Sequence, residues 1–136
     1  MKYIAHKDGE REQTIKEHLI GTATLAGQFA EKFGSKDWGY CGGMLHDIGK
    51  YSEEFQKKIN EDTNNMVDHA TAGAQLCKKI NLPVLDYCIA GHHAGLPDYG
   101  NTAERSSLCG RYKKKIYNYE AYQEEIKITR DLITEP

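Results

Sequence analysis

The residues with the clearest chemical potential in this chain are five of its six histidines and one aspartate. They are His18, the adjacent pair His46 and Asp47, His69, and the adjacent pair His92 and His93. A lone histidine on an apolar face is more often a core residue than a ligand, whereas several on separate segments can converge on one centre. On a helix, two adjacent residues would project about 100° apart and could grip one ion, or two neighbouring ions, from the same turn. The pattern therefore predicts a metal site to which four helices contribute.

The ligand types restrict the metal and the reaction. Imidazole nitrogens around a shared carboxylate favour Mn, Fe, Ni, Co or Zn, whereas Mg and Ca prefer shells of oxygen. We therefore expect one or two divalent transition metals, with Mg²⁺ as an alternative. Two metals about 3.5–4 Å apart can share a carboxylate and a hydroxide and hold phosphoryl oxygens, which is the chemistry of phosphoester hydrolysis. In this interpretation Asp47 is a catalytic bridging ligand.

Lys50 follows the His46-Asp47 pair by one helical turn. A cation in this position can offset charge that develops on the phosphate in the transition state, so Lys50 is the second candidate catalytic residue. The alternative interpretation is an ordinary solvated lysine at the end of a helix.

Longer motifs surround these residues. They read GMLHDIGK at 43–50, SEEFQ at 52–56, VDHATAGA at 67–74 and AGHHAGLPD at 90–98. In this order the motifs resemble the HD superfamily of metal phosphohydrolases, and in detail the HD nuclease domain of type I CRISPR-associated helicase-nucleases. His6 after Ala5 also fits the opening of that family. The resemblance covers roughly residues 1–100.

The resemblance implies a role for each ligand and a biological setting. His18 and His46 would bind the first metal, Asp47 would bridge, and His69, His92 and His93 would bind the second. The family cuts single-stranded DNA, which a helicase domain or subunit supplies and an RNA-guided surveillance complex selects. These partners follow from the resemblance and not from the composition.

The chain departs from the family pattern near its end. The family closes its first metal site with an aspartate on a late helix, shortly after an Arg-x-Leu segment, and here the last residues read RDLITEP. Either the chain is a truncated or split form, which we favour, or Asp131 takes that place. We therefore expect the first metal to be held more weakly than the second.

A second candidate site is a basic segment rich in tyrosine. Its candidate nucleic-acid contacts are Arg111, Lys113, Lys114, Lys115 and Tyr117. Cations that alternate with aromatic rings can neutralise phosphates and stack on bases, as a single-strand groove requires. The alternative is a solvated charged surface.

The surrounding sequence predicts a compact all-α bundle of helices, a single HD nuclease-like domain over 1–136, with the metal site between the central helices. A capping box at Thr14 and Glu17 opens the first helix, which Gly34 ends. Gly39, Gly42 and Gly43 lie in the second and would let a neighbouring helix approach closely. The expected helices span 14–34, 37–50, 53–60, 69–80 with Asp68 as its cap, 83–95 and 119–132. No segment shows the alternation of a strand.

The composition limits the class of protein, its affinity for DNA and its cellular location. The formal net charge is −2 and the apolar content 39%, typical of a globular protein without a basic field, so any DNA affinity must be local. The four cysteines are far apart and are interpreted as buried reduced thiols. The polar start and the lack of a long apolar run predict a cytoplasmic protein with no membrane contact. Two alternatives remain beside the nuclease: a nucleotide phosphohydrolase of the same superfamily, or a non-catalytic metal-binding docking module.

Overall fold

The computed structural model describes residues 2–61, 66–93 and 95–134. In this part of the chain a small antiparallel hairpin precedes six α-helices, so the expected all-α class is confirmed, with a minor sheet added. The strands are β1 (Ile4–Asp8) and β2 (Arg11–Thr14). The helices are α1 (Ile15–Glu31), α2 (Lys36–Leu45), α3 (Glu53–Glu61), α4 (Thr71–Lys79), α5 (Leu85–Gly91) and α6 (Leu108–Lys113). Short 3-10 turns lie at Ile48–Tyr51, Glu120–Glu124 and Arg130–Leu132.

The start of α1 follows the predicted capping box. The backbone N–H of Glu17 donates to the Thr14 hydroxyl at 3.1 Å, and the backbone N–H of Thr14 donates to the Glu17 carboxylate at 3.1 Å. Two donors that the helix itself leaves unpaired are thereby satisfied. The buried side of α1 carries the apolar residues Ile15, Leu19, Ala23 and Ala30. Leu25 and Phe29 of α1 are exposed, as is Phe33 just after the helix ends.

Glycines let α2 lie directly on the backbone of α1, as the sequence predicted. A Cβ added to Gly43 would lie 2.4 Å from the Cα of Ala23, and one added to Gly39 would lie 2.5 Å from the Ala26 carbonyl oxygen. Gly73 does the same for α4, because its added Cβ would lie 2.4 Å from the Leu45 carbonyl oxygen at the end of α2. Three helices therefore converge where α2 ends.

The N-terminal hairpin was not expected. Both Ile4 and Ala5 are buried, and the register shifts between Ile4 and His6, so β1 lacks the alternation by which a strand is recognised. Gln56 of α3 holds β1 in place, since its side-chain oxygen accepts from the Ile4 N–H at 2.9 Å and its amide donates to the Ile4 carbonyl at 2.9 Å. The hairpin is thereby attached to the region that follows α2.

The end of the chain differs most from the prediction. The prediction of a helix over 119–132 is wrong, because two short 3-10 turns occupy this region instead. Apolar residues there occur at near-helical spacing, but Ile126 and Ile133 reach the core from irregular backbone. Contacts with the first turn of α2 hold this segment, because Arg130 lies 5.2 Å from the Trp38 ring centre and Thr134 donates to the Asp37 carboxylate. Tertiary packing has here overridden the local pattern.

Several helix boundaries also shift, and α6 is an element that the sequence did not predict. The second helix ends at Leu45 and not at 50, the fourth begins at Thr71 and not at 69, and the fifth spans Leu85–Gly91. The expectation of four buried thiols is half right: Cys41 and Cys77 are buried, Cys109 is partly exposed and Cys88 is exposed. No helix in the described part of the chain has both the length and the apolar character to span a membrane.

The close contact between α1 and α2 predicts opposite effects for two Gly→Ala changes. Gly43→Ala places a methyl group against the Ala23 backbone, and overpacking of this kind lowers the free energy of unfolding by about 1–3 kcal/mol. Gly21→Ala on the open side of α1 meets nothing within 4 Å and is expected to raise it by up to about 1 kcal/mol. Urea unfolding followed by circular dichroism measures both, and equal shifts would contradict the packing argument.

Candidate metal centre

The candidate ligands lie at the ends of helices more often than within them. His18 is in α1, but His46 caps the C-terminal end of α2 and Asp47 already leaves the helical conformation. His92 caps α5 in the same way, and His69 precedes α4. The prediction that the ligands lie within four helices is therefore right only for His18. The other ligands lie at or beyond helix ends. Past a helix end, adjacent residues are no longer fixed about 100° apart, so both members of a pair can face one point.

Close backbone packing brings these ends together. A Cβ added to Gly49, two residues after Asp47, would lie 2.4 Å from the carbonyl oxygen of His69. Only a residue without a side chain lets the His69 backbone lie this close to the turn that carries Asp47. The 3-10 turn at Ile48–Tyr51, which contains Gly49, thus helps to position His69, a ligand from a different segment.

The five candidate histidine ligands surround one carboxylate, that of Asp47, which is 3% exposed. Its Oδ2 lies 2.9 Å from Nε2 of His18 and 3.2 Å from Nε2 of His46. Its Oδ1 lies 3.0, 3.6 and 3.8 Å from the Nε2 atoms that belong to His92, His69 and His93. Each oxygen therefore faces its own set of imidazoles, with His18 and His46 on one side and the other three on the opposite side. This is the arrangement that a bridging carboxylate between two cations requires.

Hydrogen bonds fix which ring nitrogen faces the centre. Nδ1 of His46 lies 2.7 Å from the Gly43 carbonyl oxygen, and Nδ1 of His92 lies 2.6 Å from that of Ile89. A carbonyl oxygen only accepts, so each Nδ1 carries a proton and Nε2 is the atom that faces Asp47. A protonated Nε2 donates to the carboxylate, and an unprotonated one offers its lone pair to a metal. Backbone partners of this kind orient histidines that bind metals.

The inward nitrogens of neighbouring histidines lie within hydrogen-bond distance of one another, so each pair shares either a proton or a cation. Nε2 of His18 and Nε2 of His46 are 3.2 Å apart, and those of His69 and His93 are 2.8 Å apart. Two lone pairs at this separation repel unless a cation or a proton lies between them. Residues His18, His46 and Asp47 form one group able to hold a metal, and Asp47, His69, His92 and His93 form another. The donor set fits divalent transition metals.

Electrostatics agree with this assignment. Burial alone would raise the pKa of Asp47, but hydrogen bonds from His18, His46 and His92 outweigh it and hold the pKa far below its usual range. Burial lowers the pKa of His69 to about 4, so this ring is neutral at physiological pH. The centre therefore offers an ionised carboxylate and at least one unprotonated imidazole, the states in which these groups bind metals.

Lys50 is not a solvated lysine, because its side chain is buried and its residue is 4% exposed. Its Nζ lies 3.4 Å from Oδ2 of Asp47 and donates to the Ala5 carbonyl oxygen at 3.3 Å. The ammonium therefore neutralises part of the Asp47 charge from the side of the first group. Burial lowers the pKa of Lys50, and the attraction of Asp47 opposes that shift.

Two other residues from the sequence analysis are placed differently. Asp131 is exposed and belongs to neither ligand group, so it does not take the place of the late aspartate. His6 lies beside the first group, with its ring centre 4.8 Å from that of His18. The structure thus brings together the six ligands that the sequence indicated and leaves Asp131 outside.

An open groove of about 1080 Å³ joins the second ligand group to the basic segment. The described residues that line it include His69, His93 and the acidic residue Asp68. Six positively charged residues line it as well. The cations are Lys58, Arg105, Arg111, Lys113, Lys114 and Lys115. Neither Lys58 nor Arg105 was singled out from the sequence. Helical spacing could have indicated Lys58, three residues after the buried Phe55 of α3, whereas Arg105 lies in a loop with no periodic signal.

The five residues predicted to contact nucleic acid differ in whether their side chains already bind other residues of the chain. Arg111 donates to the Ala90 carbonyl oxygen and Lys114 pairs with Asp68, so both also serve the packing of α6. Lys113 and Lys115 are exposed along the groove, and Tyr117, 51% exposed, lines an adjoining depression. The Gln75 amide of α4 donates to the carbonyl oxygens of residues 111 and 114 at 2.7 and 2.8 Å. The segment is therefore fixed relative to the ligand that precedes α4.

The family model of the HD domain matches residues 15–129. The chain therefore belongs to the HD domain family, whose membership indicates metal-dependent phosphohydrolase chemistry. It is also 29% identical over 102 residues to the "[1-hydroxy-2-(trimethylamino)ethyl]phosphonate dioxygenase (glycine-betaine-forming)" of Leisingera caerulea. The match covers 70% of this chain and 50% of that protein, so the chain spans about half the length of this curated relative. Family and relative together support a metal-dependent enzyme.

The shared carboxylate makes Asp47→Asn the sharpest test of the centre. The amide keeps the size of the side chain but removes the charge that both groups would use, so we expect metal affinity to fall by at least about tenfold. Elemental analysis after dialysis against each metal measures the loss. Asp131→Asn, outside both groups, is the matched control. Full metal content in Asp47→Asn would contradict the assignment.

The two groups also predict two phases of metal binding. The second group offers four protein ligands and the first three, so the second should fill first. His93→Ala is expected to remove the tighter phase, and His18→Ala the weaker one, in a calorimetric titration with Mn²⁺ or Ni²⁺. Circular dichroism checks that the helical content is retained. Loss of the same phase in both variants would mean that the groups are not separate.

Proposed function

We propose that this chain is a metal-dependent nuclease that hydrolyses phosphodiester bonds in single-stranded DNA. The observation that carries the proposal is the groove, which runs without a break from His69 and His93 to the basic segment. A small-molecule phosphohydrolase needs a closed pocket that reads a base, whereas a polymer needs an open path past the metals. The groove has the second form.

Charge supports the same substrate. Among the described residues, six cations and one carboxylate line the groove, although the whole chain carries a formal charge of −2. Burial raises the pKa of that carboxylate, Asp68, but hydrogen bonds from Lys114 and Thr71 outweigh it and lower the pKa to about 2. Positive potential is thus concentrated beside the ligand centre, where a chain of phosphates would lie.

The chain's own residues have distinct tasks in this reaction. Bound metals would supply a hydroxide nucleophile at neutral pH and polarise the phosphoryl group. Asp47 holds the two ligand groups in register through its two oxygens, and the backbone partners of His46 and His92 keep their Nε2 atoms turned inward. Lys50 limits the repulsion that a buried carboxylate would otherwise exert on an incoming phosphate.

The curated relative suggests oxygenation as a second candidate. The name of that relative gives its substrate as a phosphonate, so both reactions would place an anionic phosphorus group near the metals. That substrate also carries a trimethylamino group, and a fixed positive charge is unfavourable in a groove lined by six cations. The groove therefore favours a polyanion over this type of substrate.

The biological role and the partners of this chain are part of the same proposal. Because the motifs at 43–50 and 90–98 resemble type I CRISPR-associated nuclease domains, we propose a role in antiviral defence in the cytoplasm. A helicase domain or subunit would deliver the single strand, and an RNA-guided surveillance complex would select it. A nucleotide phosphohydrolase and a non-catalytic docking module are the alternatives that the experiment must separate.

One experiment compares these functions directly. Protein stripped with EDTA is reloaded with Mn²⁺, Fe²⁺, Co²⁺, Ni²⁺, Zn²⁺ or Mg²⁺ and given end-labelled single-stranded DNA, duplex DNA, dNTPs or the relative's phosphonate with oxygen. We expect metal-dependent cleavage of single-stranded DNA, reduced about a hundredfold or more in Asp47→Asn. Phosphate release from dNTPs alone, oxygen consumption with the phosphonate, or metal binding without turnover would each select a different function and refute this one.

The basic segment is tested by changing Lys113, Lys114 and Lys115 together to alanine. Released counterions scale with neutralised phosphates, so the slope of log K against log salt should flatten by about two for three single-strand contacts. Hydrolysis of a small phosphodiester should not change. The control changes three exposed lysines outside the groove, Lys16, Lys32 and Lys79. Equal slopes in the two triple variants would show that the segment is only a solvated surface.

A further inference from the structure

Two lysines approach the same aromatic ring beside the ligand centre. Nζ of Lys50 lies 5.3 Å from the centre of the Phe55 ring, and Nζ of Lys58 lies 5.9 Å from it. Phe55 is 5% exposed, and its ring meets that of His69 at 5.3 Å in an edge-on contact. The ring thus separates two ammonium groups that can serve different purposes.

Lys50 is fully engaged in the interior. Its ammonium lies against the Asp47 carboxylate and the Ala5 carbonyl, and it is not among the residues that line the groove. An ammonium that moved toward a substrate from there would leave a buried carboxylate with less compensation, which is costly. Lys50 therefore suits the neutralisation of Asp47 better than contact with a phosphate.

Lys58 has the opposite environment. It is half-buried in the last turns of α3 and lines the groove together with His69 and His93. It also lines the adjoining depression of about 330 Å³ that includes Tyr117, so it lies where the two meet. Its ammonium lies near the Phe55 ring, and the residue as a whole is partly exposed. A strand that passes from the basic segment over His69 toward Tyr117 must pass Lys58.

We propose that Lys58 is a catalytic residue whose ammonium binds a non-bridging phosphate oxygen of the substrate beside the second ligand group, while Lys50 acts only as the counter-ion of Asp47. The assignment rests on the phosphate chemistry of the proposed function. It requires no bond to form or break at the lysine itself, since a fixed cation stabilises charge on the phosphoryl oxygens by attraction alone. Lys57, the preceding residue, lines only the adjoining depression and not the groove that holds His69 and His93, so it is a control for the position beside the second ligand group.

The test uses inorganic phosphate as the probe, bound to the whole metal-loaded chain and measured by calorimetry. One charge-assisted hydrogen bond is expected to make Lys58→Gln bind phosphate about tenfold more weakly. Lys58→Arg should retain most of the affinity, and Lys57→Gln should match the unaltered chain. Metal content and circular dichroism are recorded for each variant, and both should stay unchanged in Lys58→Gln.

Three results would overturn the assignment. Lys58→Gln could bind phosphate as Lys57→Gln does, it could lose metal, or the unaltered metal-loaded chain could fail to bind phosphate. The proposed nuclease activity fails separately, by a lack of cleavage of single-stranded DNA. If that activity is absent but Lys58→Gln still weakens phosphate binding, the proposed DNA substrate is wrong and only the phosphate-binding role of Lys58 stands.

Discussion

A single buried carboxylate is the constraint on which the rest of this structure depends. An ionised aspartate that is 3% exposed is stable only if opposite charge or hydrogen-bond donors surround it. Here Lys50 supplies one charge, and rings from four separate segments fill the remaining directions. The helices must therefore end where they do, so that His46, His69 and His92 reach Asp47 from different sides. Packing and metal chemistry impose the same geometry.

Small residues make that geometry attainable. Gly39 and Gly43 bring α2 onto α1, Gly73 brings α4 to the end of α2, and Gly49 admits the backbone of His69. A Cβ at any of these positions would lie 2.4–2.5 Å from a backbone atom of the neighbouring segment, so the two segments would have to move apart. Rigid helix packing is thus the means by which histidines that are distant in sequence are held 2.9–3.8 Å from the two oxygens of one carboxylate.

The sequence carried enough information to indicate the ligands but not all of their surroundings. The ligands could be recognised because their residue types and surrounding motifs are distinctive; they are His18, His46, Asp47, His69, His92 and His93. The buried face of α1 could be predicted because its apolar residues recur at helical spacing. The hairpin could not be predicted, because its inward side is set by a bulge and by Gln56, which comes 52 residues after Ile4. The helix expected over 119–132 failed because contacts with Trp38 and Asp37 decide that segment. Long-range contacts of this kind leave no local pattern.

The attachment of the first strand has a consequence for the order in which the molecule assembles. β1 can pair with β2 as soon as both are made, but Ile4 exchanges hydrogen bonds with Gln56 and Ala5 accepts one from Lys50, so the hairpin cannot dock on α3 until the ribosome has released both partners. His92 and His93 emerge later still. Synthesis at about 5–20 residues per second is far slower than helix formation. A newly made chain therefore passes through a stage in which α1 and α2 can pair while the hairpin has not yet docked on α3.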